Sequence, residues 1–461
     1  MRYTRRLLDR RGSAAFAVAA AAAGFIAVAC SGTDDQVLGN IDTDAGSDVL
    51  EVPLDAGEPE IVVRDSAPPP FDGGPLPVTC TSDPCATQLV TTRGALAGDR
   101  AEGFCALLQD GTVTCWGADN AGQLGPGVGG GAIGDSATAQ RVAGLTGIVS
   151  LDHTCALDGS GDVWCWGTGP FLQSATLATT TERTPVKLPI PPAKKIGLGV
   201  ATACALTTDD RVLCWGSNVN GQLAPFESRG PSAVLPPTEI ALGSGAAIRD
   251  LVVGDAVFAV REDGSFLSWG ANPPLGRVSP LFPDPYPHAS DLANVTAVDI
   301  ADHNACTTTG GIGYCWGTHI PRLPEQGVSG PRLERALPAP VVAPEPLVQI
   351  ATTRTINLRS SGLVNEVQPQ RWCACGASGA VYCWGWNVSG QAGDGTKNHA
   401  YDAEEVVGLP APAAQVRTTP DATCALLTDG KVFCWGANFY GQLGNGKIKA
   451  ASLVPQEVVM P

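Results

Sequence analysis

A Trp-Gly pair closes a short apolar segment seven times along this chain, at Trp116, Trp166, Trp215, Trp269, Trp316, Trp384 and Trp435, and six of these tryptophans directly follow a cysteine. Successive tryptophans stand 50, 49, 54, 47, 68 and 51 residues apart. That period is too long for a helical solenoid of roughly thirty-odd residues per unit and suits one small antiparallel sheet per unit.

The best-preserved units read as hairpins. Two apolar runs, Cys105-Ala106-Leu107-Leu108 and Thr112-Val113-Thr114-Cys115-Trp116, flank Gln109-Asp110-Gly111. A three-residue hairpin loop usually takes a left-handed residue at its third position, where glycine carries no steric penalty. Gly111, Gly161, Gly264, Gly379 and Gly430 hold that position, with Asp210 as the exception. The resulting register sets Cys105 opposite Cys115, Cys155 opposite Cys165, Cys204 opposite Cys214, Cys373 opposite Cys383, and Cys424 opposite Cys434. In the fifth unit Cys306 and Cys315 are one residue closer, and a two-residue Gly310-Gly311 turn restores the facing arrangement. In the fourth unit both positions are lost together, to Phe258 and Ser268.

Joint loss is what paired thiols would show, so the pairs read as cross-strand disulfides. Zinc is the rival, but it normally takes four ligands, and each unit offers two cysteines without regularly placed histidines. A bridge closing about eleven residues stabilises by roughly 3 kcal/mol in the chain-entropy model. Cys80 and Cys85 are expected to form a further short bridge across Asp83-Pro84, which leaves Cys375 unpaired once Cys30 is acylated.

Disulfides require an oxidising compartment, and the N-terminus suggests the route. Arg2, Arg5, Arg6, Arg10 and Arg11 precede an apolar, alanine-rich run from Ala14 to Ala29, followed by Cys30. The ending Ala27-Val28-Ala29-Cys30 resembles the lipobox of bacterial lipoproteins, with alanine in place of the usual leucine. The resemblance implies a signal peptide over 1–29 and lipidation of Cys30. Residues 31 to 74 contain eleven acidic residues and one basic residue, Arg64. Such a composition favours a solvated, self-repelling tether, expected over 30–79. Residues 1–29 carry five basic residues and one acidic residue, so their removal takes the net charge from -16 to -20. Nucleic acid rewards clustered Lys and Arg and is excluded as a partner on this balance.

Seven units over 80–461 fit a radial arrangement, because a lone four-stranded sheet cannot bury both faces and neighbouring blades can cover them. The expected fold is all-β, a seven-bladed β-propeller. The last strand-like run, Val454 to Val459, is expected to join the first blade and close the circle. Trp116-Gly117-Ala118-Asp119-Asn120-Ala121-Gly122-Gln123-Leu124-Gly125 and Trp435-Gly436-Ala437-Asn438-Phe439-Tyr440-Gly441-Gln442-Leu443-Gly444 resemble the regulator of chromosome condensation repeat. Related copies start at Trp215 and Trp384. This resemblance covers nearly everything after residue 88 and implies the same propeller. The eukaryotic namesake promotes nucleotide exchange on a small nuclear GTPase, an activity set aside here on the exported location.

The expected function is a non-enzymatic binding scaffold, a lipid-anchored, monomeric propeller at the outer membrane or cell surface, with the periplasm as alternative. Its loops would meet a protein or glycan. An extracytoplasmic lyase or hydrolase and a structural envelope component are the alternatives. No Gly-x-Ser-x-Gly elbow, phosphate loop or His-Glu-x-x-His pair is present. Gly125 to Gly130 fits Gly-x-Gly-x-x-Gly but opens no helix in a strand-helix-strand unit. No cofactor or metal is expected. His153 and His303 occupy repeat positions and read as structural, while Trp164, Trp372 and Trp386 lie outside the repeated tryptophan position. The Trp316 to Trp384 stretch is the longest and proline-rich, so 319–345 is the expected binding loop, with His319, Arg322, Arg332 and Arg335 as candidate contacts.

Overall fold

The computed structural model describes residues 71–461 except 72, 82, 95–99, 128–133, 224–233, 318–336, 355, 360–364 and 369. The expected signal peptide, Cys30, His319, Arg322, Arg332 and Arg335 lie outside the described residues. The expected tether does too, apart from its last residues.

The chain forms a seven-bladed, all-β propeller. The blades span 86–141, 148–187, 193–239, 248–289, 295–341, 347–405 and 413–457, and each is a four-stranded antiparallel meander in sequence order. The sixth blade has an extra hairpin, Ile356–Arg359 paired with Asn365–Gln368, between its first and second strands. First strands of successive blades are neighbours all the way round, the seventh against the first included. They therefore line the axis.

The hairpin register is the expected one. Cys105 pairs with Cys115, Cys306 with Cys315, and Phe258 with Ser268. The third-loop glycines have positive φ, for example 75° at Gly111, and Asp210 joins them at 66°.

The Trp-Gly pair has a mechanical explanation. Where the third strand meets the fourth, the pairing skips the tryptophan, as between Cys115 and Gly117. This bulge frees the indole from its own ladder. The following glycine takes φ 105° at Gly117, and a Cβ there would stand 2.6 Å from Gly103 Cα. No other residue fits. Trp116, Trp166, Trp215, Trp269 and Trp435 are completely buried, which at roughly 200 Å² each is worth about 5 kcal/mol gross. Their indoles reach the preceding blade. Trp166 Nε1 donates to Gln123 O at 2.8 Å, Trp269 to Gln222 O at 2.8 Å, and Trp435 to Gln391 O at 2.9 Å. The accepting loops are themselves braced. Asn438 Oδ1 accepts from Leu443 N and Gln442 Oε1 from Tyr440 N, which accounts for the Asn and Gln of the repeat.

Two expectations are corrected. The last strand, Ser452–Glu457, pairs with the third strand of its own blade, and blade one is complete from Ala86–Thr91 to Ser136–Arg141. Every blade takes its fourth strand from its own unit, so no strand is exchanged at the closure. Second, the final part of the expected tether lies on the ring. Thr79 N donates to Thr428 O at 2.7 Å, and Val78 packs against the core shared by the first and seventh blades.

Candidate functional site

The ring departs from its repeat at one mouth of the central channel. In an antiparallel meander, the first-to-second and third-to-fourth connections emerge at the same end of the sheet. Five blades make the first-to-second connection in two or three residues, as at 153–154 or 419–421. Blade one spends 92–102 on it, and blade six spends 353–370.

Blade seven lies between these two, and the insertions clasp over it. Arg354 of blade six meets Glu102 of blade one at 2.7 Å, with both side chains over nine-tenths buried. Arg100 grips Asp421 of blade seven, its Nε 2.9 Å from Oδ2. Gln368 Nε2 donates to Pro420 O at 2.8 Å. Arg371, fully buried, donates to Thr423 Oγ1 at 2.6 Å and to the carbonyls of Thr419 and Ala422. Burial pulls its guanidinium down to about 9.

This finding relocates the surplus length of blade six. From Trp316 to the first residue of the next inner strand, Leu347, is 31 residues, against 32 from Trp116 to Ile148 and 33 from Trp215 to Ile248. The proline-rich connection is therefore of ordinary length. The inserted hairpin carries the excess. Nothing in its composition distinguishes it from a repeat strand pair, and only counting residues within each blade would have found it.

Polar side chains line the channel below the clasp. The inner-strand position facing each blade's first cysteine is Val90, Asp152, Gly197, Asp299, Ala351 or Arg417, and in blade four Val252 faces Phe258. Most of these polar groups are committed to the neighbouring blade. Asp299 Oδ2 accepts from Thr352 N at 2.7 Å, and Asp152 Oδ2 accepts from Leu198 N. One layer away, Gln88 exchanges two hydrogen bonds with the Leu151 backbone, Gln349 accepts from Val416 N, and Gln415 from Leu89 N.

A pocket opens at the mouth, lined by Thr91, Arg93, Glu102, His153, Thr352 and Arg417 among others. Burial pushes Glu102 up to about 7 against the pull of Arg354 and Arg93. Burial likewise raises Asp152 to about 6 and lifts Asp299. His153 is driven well below its ordinary value by burial and then by Arg93, whose Nη2 is 2.8 Å from its Nε2. It is a neutral imidazole.

The cysteines and the remaining described histidines and non-repeat tryptophans are scattered. Cα atoms of the six cross-strand cysteine pairs are 4.0 or 4.1 Å apart, with their sulfurs at disulfide distance, and Cys80 and Cys85 are likewise paired. Cys375 is a buried thiol, raised to about 12 by burial. His303 Nδ1 is 3.0 Å from Asp255, His288 lies on the outer strand of blade four, and His399 Nδ1 accepts from Asn387 N. Trp164 donates to Asp158, Trp372 stacks on Trp384, and Trp386 packs on His399.

Comparison with known proteins agrees with this architecture. Models of the regulator of chromosome condensation (RCC1) repeat match residues 149–173, 193–222, 415–442 and 429–461. The chain is an RCC1-like repeat propeller. The ultraviolet-B receptor UVR8 of Arabidopsis thaliana is 28% identical over 355 residues, 74% of this chain and 64% of that protein. The human E3 ubiquitin-protein ligase HERC2 is 26% identical over 354 residues, 65% of this chain but 7% of the ligase. The RCC1-like propeller thus spans less than two thirds of the curated relatives it matches first. Among solved structures, yeast RCC1 (Prp20), crystallised with Kap60, superposes with a TM-score of 0.58 at 18% identity, covering 75% of this chain and 83% of that one. Human WBSCR16 gives 0.55 at 18% identity, covering 76% and 95%. These two show the shared fold.

Proposed function

We propose that this RCC1-like propeller is a non-enzymatic, extracytoplasmic binding module. It is exported by residues 1–29, held to a membrane by a lipid on Cys30, and meets a protein or glycan partner through the clasped face. The convergence of two insertions over blade seven, joined by the Glu102–Arg354 pair, carries this reading. A rigid scaffold with variable connections at one rim is the usual arrangement for recognition. UVR8 is named a receptor, which fits a binding role for such a ring. The ligase activity of HERC2 is no guide, since the matched part is 7% of that protein. The channel carboxyls argue against the enzyme alternative, because Asp152 and Asp299 are spent on backbone amides of the next blade.

Site-specific photo-crosslinking tests the reading. Phe439 and Val388 are half-exposed in third-to-fourth connections on the clasped face, whereas Val149 and Val342 are exposed at the opposite end. A crosslinker at Phe439 or Val388, in cells of the native host, is expected to capture one common species that Val149 and Val342 do not. The same adducts from both ends, or adducts from the opposite end alone, would overturn the assignment.

A further inference from the structure

Two guanidinium groups reach the mouth pocket without a carboxylate of their own. Arg93 and Arg417 both line it, and neither has a carboxylate oxygen within 4.0 Å among the described residues. Their hydrogen bonds go to neutral groups. Arg93 Nη2 reaches His153 Nε2 and Leu198 O, and Arg417 Nε reaches Leu89 O at 3.1 Å. Arg93 Nε is buried and unpartnered. Both line the same pocket, and both favour the ionised form of Asp152 and of Asp299.

A third group points the same way. Thr352 lines the pocket at 3% exposure, and its Oγ1 is buried with no hydrogen-bond partner. An unpaired buried hydroxyl costs on the order of 1 to 3 kcal/mol, which a bound acceptor would recover. Acidic neighbours limit what can enter. Glu102 is held by Arg354 and Asp299 by the Thr352 amide, while Asp302 lines the pocket with no described bond to its carboxylate. A multiply charged anion is disfavoured there. A single carboxylate with an N–H donor beside it satisfies both signs.

We propose that the mouth pocket binds the carboxylate of an α-amino-acid unit, held by Arg93, Arg417 and the Thr352 hydroxyl, with its nitrogen turned to Asp302. This assignment deepens the binding role of the clasped face and rests on it. The unit could be a free amino acid or dipeptide, or the C-terminal residue of a longer peptide, since both present the same group.

Isothermal titration of the full chain with Leu-Ala, N-acetyl-Leu-Ala and Leu-Ala amide separates these sources. Both acids binding points to a peptide C-terminus, and loss of binding on acetylation points to a free amino acid or dipeptide. The amide is expected to bind at least about tenfold more weakly than its acid. Arg417→Gln should weaken the acid about tenfold or more, and Thr352→Val, which removes a hydroxyl that bonds nothing in the fold, about threefold to tenfold. Thr352→Val keeps the test intact should Arg417→Gln unfold the ring. Equal binding of acid and amide, no saturable binding at millimolar concentration, or undiminished binding by folded Thr352→Val would overturn the proposal. Crosslinks at Phe439 and Val388 would then still support the face, whereas carboxylate binding without such crosslinks would leave the pocket and remove the face.

Discussion

Trp116 Nε1 donates a hydrogen bond to Gln442 O at 3.0 Å, joining the first blade to the last across 326 residues of chain. The same indole-to-carbonyl bond joins adjacent blades elsewhere, as from Trp166 to Gln123. The ring is thus closed by the joint that builds it, with Leu89 N on Gln415 and Ala86 N on Gly430 O as supports. Trp116→Phe keeps most of the apolar contact but leaves the Gln442 carbonyl without its donor. We expect a loss of roughly 1 to 3 kcal/mol, read as a lower urea midpoint. A midpoint equal to that of the parent protein would show that the closing bond contributes nothing.

The cross-strand cysteines clamp the second and third strands in six of the seven blades. Non-reducing peptide mapping of exported protein is expected to return Cys105 with Cys115 and the five equivalent pairs, plus Cys80 with Cys85, and to find Cys375 as a thiol. Replacing both Cys105 and Cys115 by alanine should cost about 3 kcal/mol for a loop of about eleven residues. Blade four tells against a larger effect, since it fills the same place with buried Phe258 and Ser268. Dominant bridges between different blades would contradict the pairing.

Sequence reading reached furthest where local chemistry determines geometry. Gly111 or Gly310-Gly311 dictates a turn, the turn dictates the register, and the register brings Cys105 to Cys115 and Cys306 to Cys315. It failed where the deciding fact is non-local. Val454 to Val459 has strand character, yet its partner, Phe433 to Gly436, can be identified only from the whole blade. The hairpin at 356–368 was hidden because a period measured between tryptophans reports surplus length without locating it. The channel clamps were also invisible. Gln88, Gln349 and Gln415 share a position filled elsewhere by Ser150, Lys195, Asp250 and Ala297, so no repeat signal marks it.

The mouth predicts two opposed pH dependences, which offset each other between about pH 4.5 and 6.5 and leave Glu102 unopposed above that range. Glu102 titrates at about 7 in the fold, above its ordinary 4.5, so the folded chain holds a proton that the unfolded chain has released. Its contribution is complete below about 4.5 and fades as pH rises through about 7. His153 acts in the opposite sense, because its folded value lies below 6.5 and the unfolded chain takes the proton first. Its contribution is present above 6.5 and is lost as pH falls below it. Between pH 6.5 and 8, stability should therefore decline through Glu102, and Glu102→Gln should flatten that decline in urea titrations. His153→Asn should instead remove the opposing contribution, so that stability falls with rising pH below 6.5 as well. A Glu102→Gln profile parallel to the parent above pH 6.5 would refute the assignment.

Anchoring is tested at one atom. If Cys30 carries the lipid, Cys30→Ser should abolish incorporation of radiolabelled palmitate and move most of the protein from the membrane to the soluble fraction. Among the described residues no helix is long and apolar enough to cross a membrane. Two acyl chains add up at about 0.8 kcal/mol per buried methylene, enough to hold a protein of this size on their own. Ser31 is not the aspartate that retains some lipoproteins at an inner membrane, so Ser31→Asp should shift the protein inward in a Gram-negative host, seen by density fractionation. Retention of unlabelled parent protein and of Cys30→Ser in the same membrane fraction would rule out the lipid and point to a different attachment.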